Sequence, residues 1–196
     1  YIRIPTTLIG QIDAGIGIKG AVNFYGKKSS LGCFYPPETA LIDPMFLKTI
    51  STEHIACGLA EAIKMSIIRD RQLFELIEEH ASELLSSRFS EPRAEANEVM
   101  WRSIVRMLEE LETNIFEDQT YQRLVDFGHT FSPLIESYSN FSIPHGKAVA
   151  MDMALCCGAA WKLGMLDLES RDRIIATMRN CDLPIYCSHV TQQICK

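Results

Sequence analysis

One carboxylate, two imidazoles and a lysine carry the chemistry legible in this sequence. Glu61 and Lys64 share a helical face in Gly58-Leu59-Ala60-Glu61-Ala62-Ile63-Lys64, while His129 and His145 each adjoin a glycine, in Phe127-Gly128-His129 and His145-Gly146-Lys147. A carboxylate with two imidazoles is a ligand set for a catalytic zinc that keeps an open position. The three come from well-separated segments, so only a folded chain can unite them, as in a catalytic site and unlike a local zinc knuckle. Each residue alone is a weak signal. A histidine in a helical protein is more often packed or solvated than a ligand, and His54, His80 and His189 are read that way. Glu61 alone would be a solvated helix residue and Lys64 its i,i+3 ion-pair partner. Its neighbours Gly58, Leu59, Ala60 and Ala62 nevertheless make a small apolar patch, where a carboxylate needs a partner.

Two textures of chain must position these residues. Residues 1–50 mix Pro and Gly with short β-type runs, Gly20 to Phe24, Leu31 to Phe34 and Thr39 to Ile42, and with a polar turn over 26–30. From Ser51 onward the pattern is helical, capped at Ser51 or Thr52, with Glu53 in the first turn and apolar Ile55, Leu59, Ile63 and Ile67. An amphipathic helix is predicted from Glu95 to Phe116, with Val99, Ile104, Met107, Leu108 and Leu111 on its apolar side. Another runs from His145 to Leu166, ended by Gly164 and Asp167, and a last one from Leu168 to Cys181, before Leu183-Pro184.

Gly15-Ile16-Gly17-Ile18-Lys19-Gly20 matches G-x-G-x-x-G literally. The segment before it, Thr6 to Asp13, reads as a short helix rather than a strand, and no long helix follows, so a dinucleotide fingerprint is not indicated. The glycines instead let backbone pass close to a ligand while Lys19, with Lys27 and Lys28 nearby, supplies positive charge for a phosphate; a solvated turn is the plainer reading for Lys27.

Composition bounds the rest. The 196 residues are 47% hydrophobic and 22% charged, enough for a substantial core. A net charge of -6 argues against sequence-blind nucleic-acid binding, which needs an excess of Lys and Arg, and favours a small-molecule partner. Seven cysteines without a CxxC indicate neither a disulfide framework nor a zinc ribbon; a reducing, cytoplasmic setting is expected. Asp152 and Lys162 interrupt the most apolar stretch, Ala148 to Leu166, so it reads as a buried helix, and no membrane span is expected. The chain starts at Tyr1 without a Met or a leader pattern, as a fragment would.

Taken in order, several motifs resemble the sugar phosphate cyclases related to 3-dehydroquinate synthase. They are Arg3-Ile4-Pro5-Thr6-Thr7-Leu8 leading to Asp13, the Gly-rich run with Lys19, Gly26-Lys27-Lys28, Leu41-Ile42-Asp43, the Gly58 to Lys64 helix, Phe127-Gly128-His129-Thr130-Phe131 and His145-Gly146-Lys147-Ala148-Val149-Ala150. The resemblance covers nearly the whole chain. It implies a dehydroquinate synthase-like fold in which residues 1–50 end an α/β NAD-binding domain and residues 51–196 form a mainly α-helical, C-terminally incomplete metal- and substrate-binding domain. It implies zinc on Glu61, His129 and His145, with cobalt accepted by the same ligands, and a homodimer. Thr6, Thr7, Lys28 and Thr49 fall where the family meets NAD; Asp13, Lys19 and Lys64 fall where it holds substrate. Ser29 stands where dehydroquinate synthases carry Asn. The upstream domain with its Gly-Gly-Gly loop, and a late substrate lysine, would lie outside this chain.

Around His129 the pattern departs from the dehydroquinate synthases, which read Asn-x-Gly-His-x-x-Gly-His. Here Asp126-Phe127-Gly128-His129-Thr130-Phe131-Ser132-Pro133 has Asp for Asn and lacks the second histidine, and Arg123 sits three residues before Asp126 rather than four. An Asp would repel a substrate carboxylate but suits hydroxyls. With Met107-Leu108-Glu109-Glu110-Leu111, the pattern resembles the 2-epi-5-epi-valiolone synthase branch, which cyclises sedoheptulose 7-phosphate. The implied course is transient oxidation by NAD, phosphate elimination, return of the hydride and an intramolecular aldol closure. Alternatives are another cyclase of the family, of the desmethyl-4-deoxygadusol or dehydroquinate type, or a noncatalytic helical binding domain.

Overall fold

A computed structural model of the chain describes residues 1–25, 27–116, 118 and 123–186, apart from the side chains at 27 and 28. The first part carries four short strands, β1 (Ile2–Arg3), β2 (Lys19–Phe24), β3 (Lys27–Phe34) and β4 (Thr39–Ala40). β1 pairs in parallel with β4, and β2 with β3 as an antiparallel hairpin in which Val22 faces Leu31. β3 therefore starts at Lys27, inside the expected polar turn, because cross-strand pairing extends the apolar runs. Only Thr39 and Ala40 of the expected third run pair.

Between β1 and β2 the chain makes the expected short helix, and its end, Gly10–Ala14, is a widened turn with i→i+5 bonding: Gly15 N–H donates to Gly10 O at 2.9 Å. Such widened turns recur at functional sites because they re-aim one side chain. Here that side chain is Asp13.

Six α-helices follow: α1 (Thr52–Arg69), α2 (Arg71–Ser86), α3 (Arg93–Glu112), α4 (Ser132–Tyr138), α5 (His145–Lys162) and α6 (Leu168–Asn180). α1 starts at Ser51, whose side chain caps it by accepting from His54 N–H, and every residue from Ile55 to Ser66 is buried. A helix hidden on all sides lies at the centre of its domain, and α1 packs against α2, α3, α5 and the widened turn. Its fully buried Leu59 and Ile63 meet Leu8, Ile12 and Leu47 of the first part in one continuous core. Each such side chain contributes roughly 1.5–3 kcal/mol.

α2 separates from α1 at Asp70, whose carboxylate caps the new helix by accepting from Leu73 N–H at 3.0 Å. α3 starts after Pro92 and buries Val99 and Met107 as the periodicity predicts, but Leu108 is 48% exposed because the buried stripe is narrower than the apolar one. α5 crosses α1 where Gly146 meets Cys57; a Cβ on Gly146 would come within 2.3 Å of the Cys57 carbonyl oxygen. That close approach sets the first residue of α5, His145, beside the helical turn that carries Glu61. α5 stops at Lys162, earlier than expected, and the chain turns through Gly164 at φ +72°. α4, which the sequence pattern did not reveal, rests its N-terminus on α5. Asp152 accepts from Phe131 N–H and Ser132 N–H there. Among the described residues no helix is long and apolar enough to cross a membrane.

Candidate metal and active site

Three elements bring the ligand candidates together. Glu61 comes from the middle of α1 and His145 from the first turn of α5. His129 follows a single 3-10 turn at Leu124–Asp126 and Gly128, whose φ of +76° reverses the chain where a side chain would strike Met153. The three ligand atoms all lie within 4.8 Å of one another. His145 Nε2 is 3.2 Å and His129 Nε2 4.0 Å from Glu61 Oε1.

Hydrogen bonds behind the rings fix what those nitrogens offer. His129 Nδ1 donates to the Phe127 carbonyl at 3.1 Å, and His145 Nδ1 donates to Glu136 Oε1 at 2.9 Å. Neither acceptor can donate in return, so a neutral ring keeps its Nε2 lone pair facing Glu61. Three acceptors thus converge on one point. Neither Glu61 oxygen, both buried, receives an aligned hydrogen bond among the described residues, although Lys64 Nζ lies 2.6 Å from Oε2. This donor set fits a divalent cation of the kind that nitrogen and carboxylate ligands bind.

Charge around the point is arranged in a chain. Lys64 is buried and bridges Glu61 Oε2 to Asp13 Oδ2, the latter at 3.0 Å. Burial acts to raise the Glu61 pKa, but the Lys64 ammonium beside it, joined by His145 and His129 when their rings carry a proton, outweighs it and holds the carboxyl well below the ordinary range. Burial acts to lower Lys64, while Glu61 and Asp13 raise it above its ordinary value, so it stays charged. Asp13 goes the other way: burial pushes it up to about 6, against the pull of Lys64. Burial also lowers His129, which favours the neutral ring that a metal requires.

A cleft of about 550 Å³ adjoins a pocket of about 210 Å³, and together they are lined by Asp13, Lys19, Glu61, Lys64, Arg123, Asp126, His129 and His145. All eight substrate and metal candidates read from the sequence therefore share one space. Thr6, Thr7 and Thr49 do not line it. Thr6 is exposed. Thr7 Oγ1 accepts from Gly10 N–H, which leaves it a proton to donate and one lone pair, and Thr49 Oγ1 donates to the Phe46 carbonyl, which leaves it only lone pairs to accept with. The Lys28 side chain lies outside the described residues, as does His189.

One sequence reading changes. Asp126 is not a bare negative charge: Arg123 forms a two-pronged pair with it, at 3.0 and 2.6 Å. The three-residue spacing that set Arg123 apart from the dehydroquinate pattern is what lets it reach Asp126 within one turn. The literal G-x-G-x-x-G run leads into strand β2, and Gly17, Lys19 and Gly20 face the cleft. His54 and His80 pair locally, with Ser51 and Glu83. Glu136 escaped notice because an acidic residue seven positions after His129 looks like any helix surface residue; only the fold turns it toward His145.

Comparison with known proteins fits this geometry. The 3-dehydroquinate synthase C-terminal family profile matches residues 58–196 and the 3-dehydroquinate synthase N-terminal profile residues 1–57. A 2-epi-5-epi-valiolone synthase of Actinomyces sp is 45% identical over 190 residues, 95% of this chain and 50% of that protein. A demethyl-4-deoxygadusol synthase of Trichormus variabilis is 35% identical over 191 residues, 94% of this chain and 46% of that protein. The solved 2-epi-5-epi-valiolone synthase of Streptomyces hygroscopicus subsp. jinggangensis 5008, with NAD+ and Zn2+ bound, superposes with a TM-score of 0.94 at 43% identity, covering 99% of this chain and 53% of that one. The chain spans about half the length of these relatives. Its mainly helical fold is dehydroquinate synthase-like, and the chain belongs to the 3-dehydroquinate synthase family.

Proposed function

We propose that this chain is part of a sugar phosphate cyclase that converts sedoheptulose 7-phosphate to 2-epi-5-epi-valiolone with loss of phosphate. The observation that carries this reading is the convergence of Glu61, His129 and His145 beside Lys64, Lys19 and Asp13 in one cleft. A zinc held by the three ligands supplies Lewis-acid polarisation of a substrate oxygen, and cobalt accepts the same ligands. Thr6, Thr7, Lys28 and Thr49, with segments outside this chain, would hold NAD, which would supply reversible hydride transfer.

The chain's own groups divide the remaining work. Lys64, buried and charged, donates to a substrate hydroxyl or to the oxyanion formed from it. Asp13, titrating near 6, sits where it can take a hydroxyl proton and give it back. Lys19 projects from the start of β2 into the cleft and holds a phosphate or hydroxyl, close to backbone that Gly17 and Gly20 keep low. Holding the substrate by so many contacts keeps successive steps in one site.

The substrate choice is supported by the Arg123–Asp126 pair. A guanidinium already forked onto a carboxylate is a poor receptor for a second carboxylate, while the Asp126 oxygens still accept from a hydroxyl. Residues 1–50 are assigned to the end of the NAD-binding domain and 51–196 to the metal- and substrate-binding domain. Free thiols at Cys33, Cys57, Cys156, Cys157 and Cys181 suit a reducing, cytoplasmic setting. The test is product analysis with the full-length protein, NAD, zinc and sedoheptulose 7-phosphate, run beside the heptulosonate phosphate used by dehydroquinate synthases. Release of phosphate with 2-epi-5-epi-valiolone from the first substrate alone is expected. A different carbocycle from sedoheptulose 7-phosphate, or turnover of the heptulosonate, sinks the substrate reading.

A further inference from the structure

Asp152 interrupts the most apolar stretch of the chain, and the fold buries it completely. A carboxyl group hidden from water is costly unless its oxygens accept hydrogen bonds. Here Oδ2 accepts from the backbone N–H of Phe131 at 2.5 Å and of Ser132 at 2.8 Å, and Oδ1 accepts from the Cys156 thiol at 3.2 Å. Those amides open α4, whose own N-cap residue, Phe131, makes no side-chain cap. The missing cap is thus supplied from α5. At 7 residues α4 is too short to hold itself, so its position depends on what grips its start.

What α4 carries makes this grip matter. Two residues before the clamped amides stands His129, and within α4 stands Glu136, whose Oε1 receives the His145 Nδ1 proton at 2.9 Å. One carboxyl group on α5 therefore fixes the backbone between His129 and Glu136 relative to the helix that begins with His145.

We infer that Asp152 is a positioning residue for the metal centre: by clamping the start of α4 to α5 it aims His129 directly, and His145 through Glu136, at one cation shared with Glu61. The inference rests on the metal-centre reading given above. A cap with a merely structural role lowers stability when removed; a positioning clamp also weakens metal binding in protein that is still folded.

The experiment compares the full-length protein with Asp152→Ala and Asp152→Asn, reading zinc affinity by competition with a chelating dye. Asp152→Ala is expected to weaken zinc by about ten- to a hundredfold, the size typical of lost support behind metal ligands. Asp152→Asn keeps an oxygen that accepts from the same amides and is expected to stay near the wild type. Adding Glu136→Ala to Asp152→Ala should cost little beyond the larger single loss, because both act through α4. Unchanged zinc affinity in folded Asp152→Ala overturns the inference, and so do losses that simply add. If Asp152→Ala does not fold, Asp152→Ser, whose hydroxyl is too short to bridge both amides, takes its place with the same two outcomes. If the wild type itself binds no zinc, the metal-centre reading falls, and Asp152 is judged on zinc-free protein. The His145 Nδ1–H resonance is then lost in the variant if the clamp aims the ring and kept if it does not.

Discussion

Glu61 faces a cation at each oxygen under the reading above, Lys64 at Oε2 and a metal at Oε1. Replacing it by Gln removes the charge both depend on and presents an amide N–H₂ either to the Lys64 ammonium or to the Nε2 side of the imidazoles. Neither orientation restores a ligand on one side and an ion-pair partner on the other. Glu61→Gln is expected to empty the metal site while leaving Lys64 held by Asp13 alone, at a cost of about 1–3 kcal/mol for the disturbed buried pair. Metal content by mass spectrometry and urea unfolding of the zinc-free proteins check the two parts. Full zinc occupancy in the variant contradicts the assignment of Glu61 as ligand. The ligand triad was legible in the sequence through the ordered motifs that carry the family resemblance, since Glu61, His129 and His145 are each weak signals alone. Glu136 was not, since any acidic residue could sit there and only three-dimensional proximity gives it a role. The neutralisation of Asp126 by Arg123 was also hidden: i,i+3 spacing permits the pair but does not require it, and a 3-10 turn had to form first.

Helix termini carry a second set of charges whose pH behaviour follows from their partners. Asp70 ends α1, caps α2 through Leu73 N–H and receives Arg102 and Arg106 from α3. Burial acts to raise its pKa, but the Leu73 amide and the two guanidinium groups outweigh it and lower the carboxyl from its ordinary 3.8. A depressed acid contributes stability that is present above its unfolded pKa and lost as pH falls through the folded one. Asp70→Asn keeps the cap oxygen but loses the charge, so it should destabilise at neutral pH by roughly 1–2 kcal/mol. The gap to wild type should close on the acid side of 3.8. Chemical denaturation at neutral and strongly acid pH measures it; a gap that widens with acid means the pairing with α3 is not what Asp70 supplies. α1, α3, α5 and α6 were each foreseeable, their ends drifting by a few residues, because long periodic or uniformly apolar runs outlast local noise. α4 was not, since it is short, starts with Ser132-Pro133 and takes its cap from a residue twenty positions downstream. The hairpin was recognised as two strands yet misjudged at its turn, where pairing rather than propensity sets the length.

On the scale of the whole molecule, the cleft and its adjoining pocket have a helical wall from α1, α3 and α5 and a thin wall from the β2–β3 hairpin, whose β2 residues are all exposed. Four residues are proposed to meet NAD, Thr6, Thr7, Lys28 and Thr49, and the three threonines lie outside that cleft. Thr7 and Thr49 each have one hydroxyl bond already made and Thr6 is exposed; counting one hydrogen bond to NAD from each threonine, a lysine adds one charged contact. At about 1 kcal/mol for a neutral hydrogen bond and about 1.5–3 for a charged one, the gross gain is roughly 4–6 kcal/mol. Association costs at least about 4 kcal/mol in lost translational and rotational freedom before any side chain is ordered. At most about 2 kcal/mol remains, so the 196-residue chain by itself should bind NAD with a Kd on the order of tens of millimolar or weaker. The related synthase solved with NAD+ is about twice as long as the stretch it shares with this chain, and a full-length version of this protein is expected to bind at least a hundredfold more tightly, a difference of about 2.7 kcal/mol supplied by segments outside the chain. Isothermal titration of NAD into both proteins decides the matter. Micromolar binding to the 196-residue chain would mean that Thr6, Thr7, Lys28 and Thr49 belong to a complete cofactor site, and that the assignment of residues 1–50 to the mere end of an NAD-binding domain is wrong.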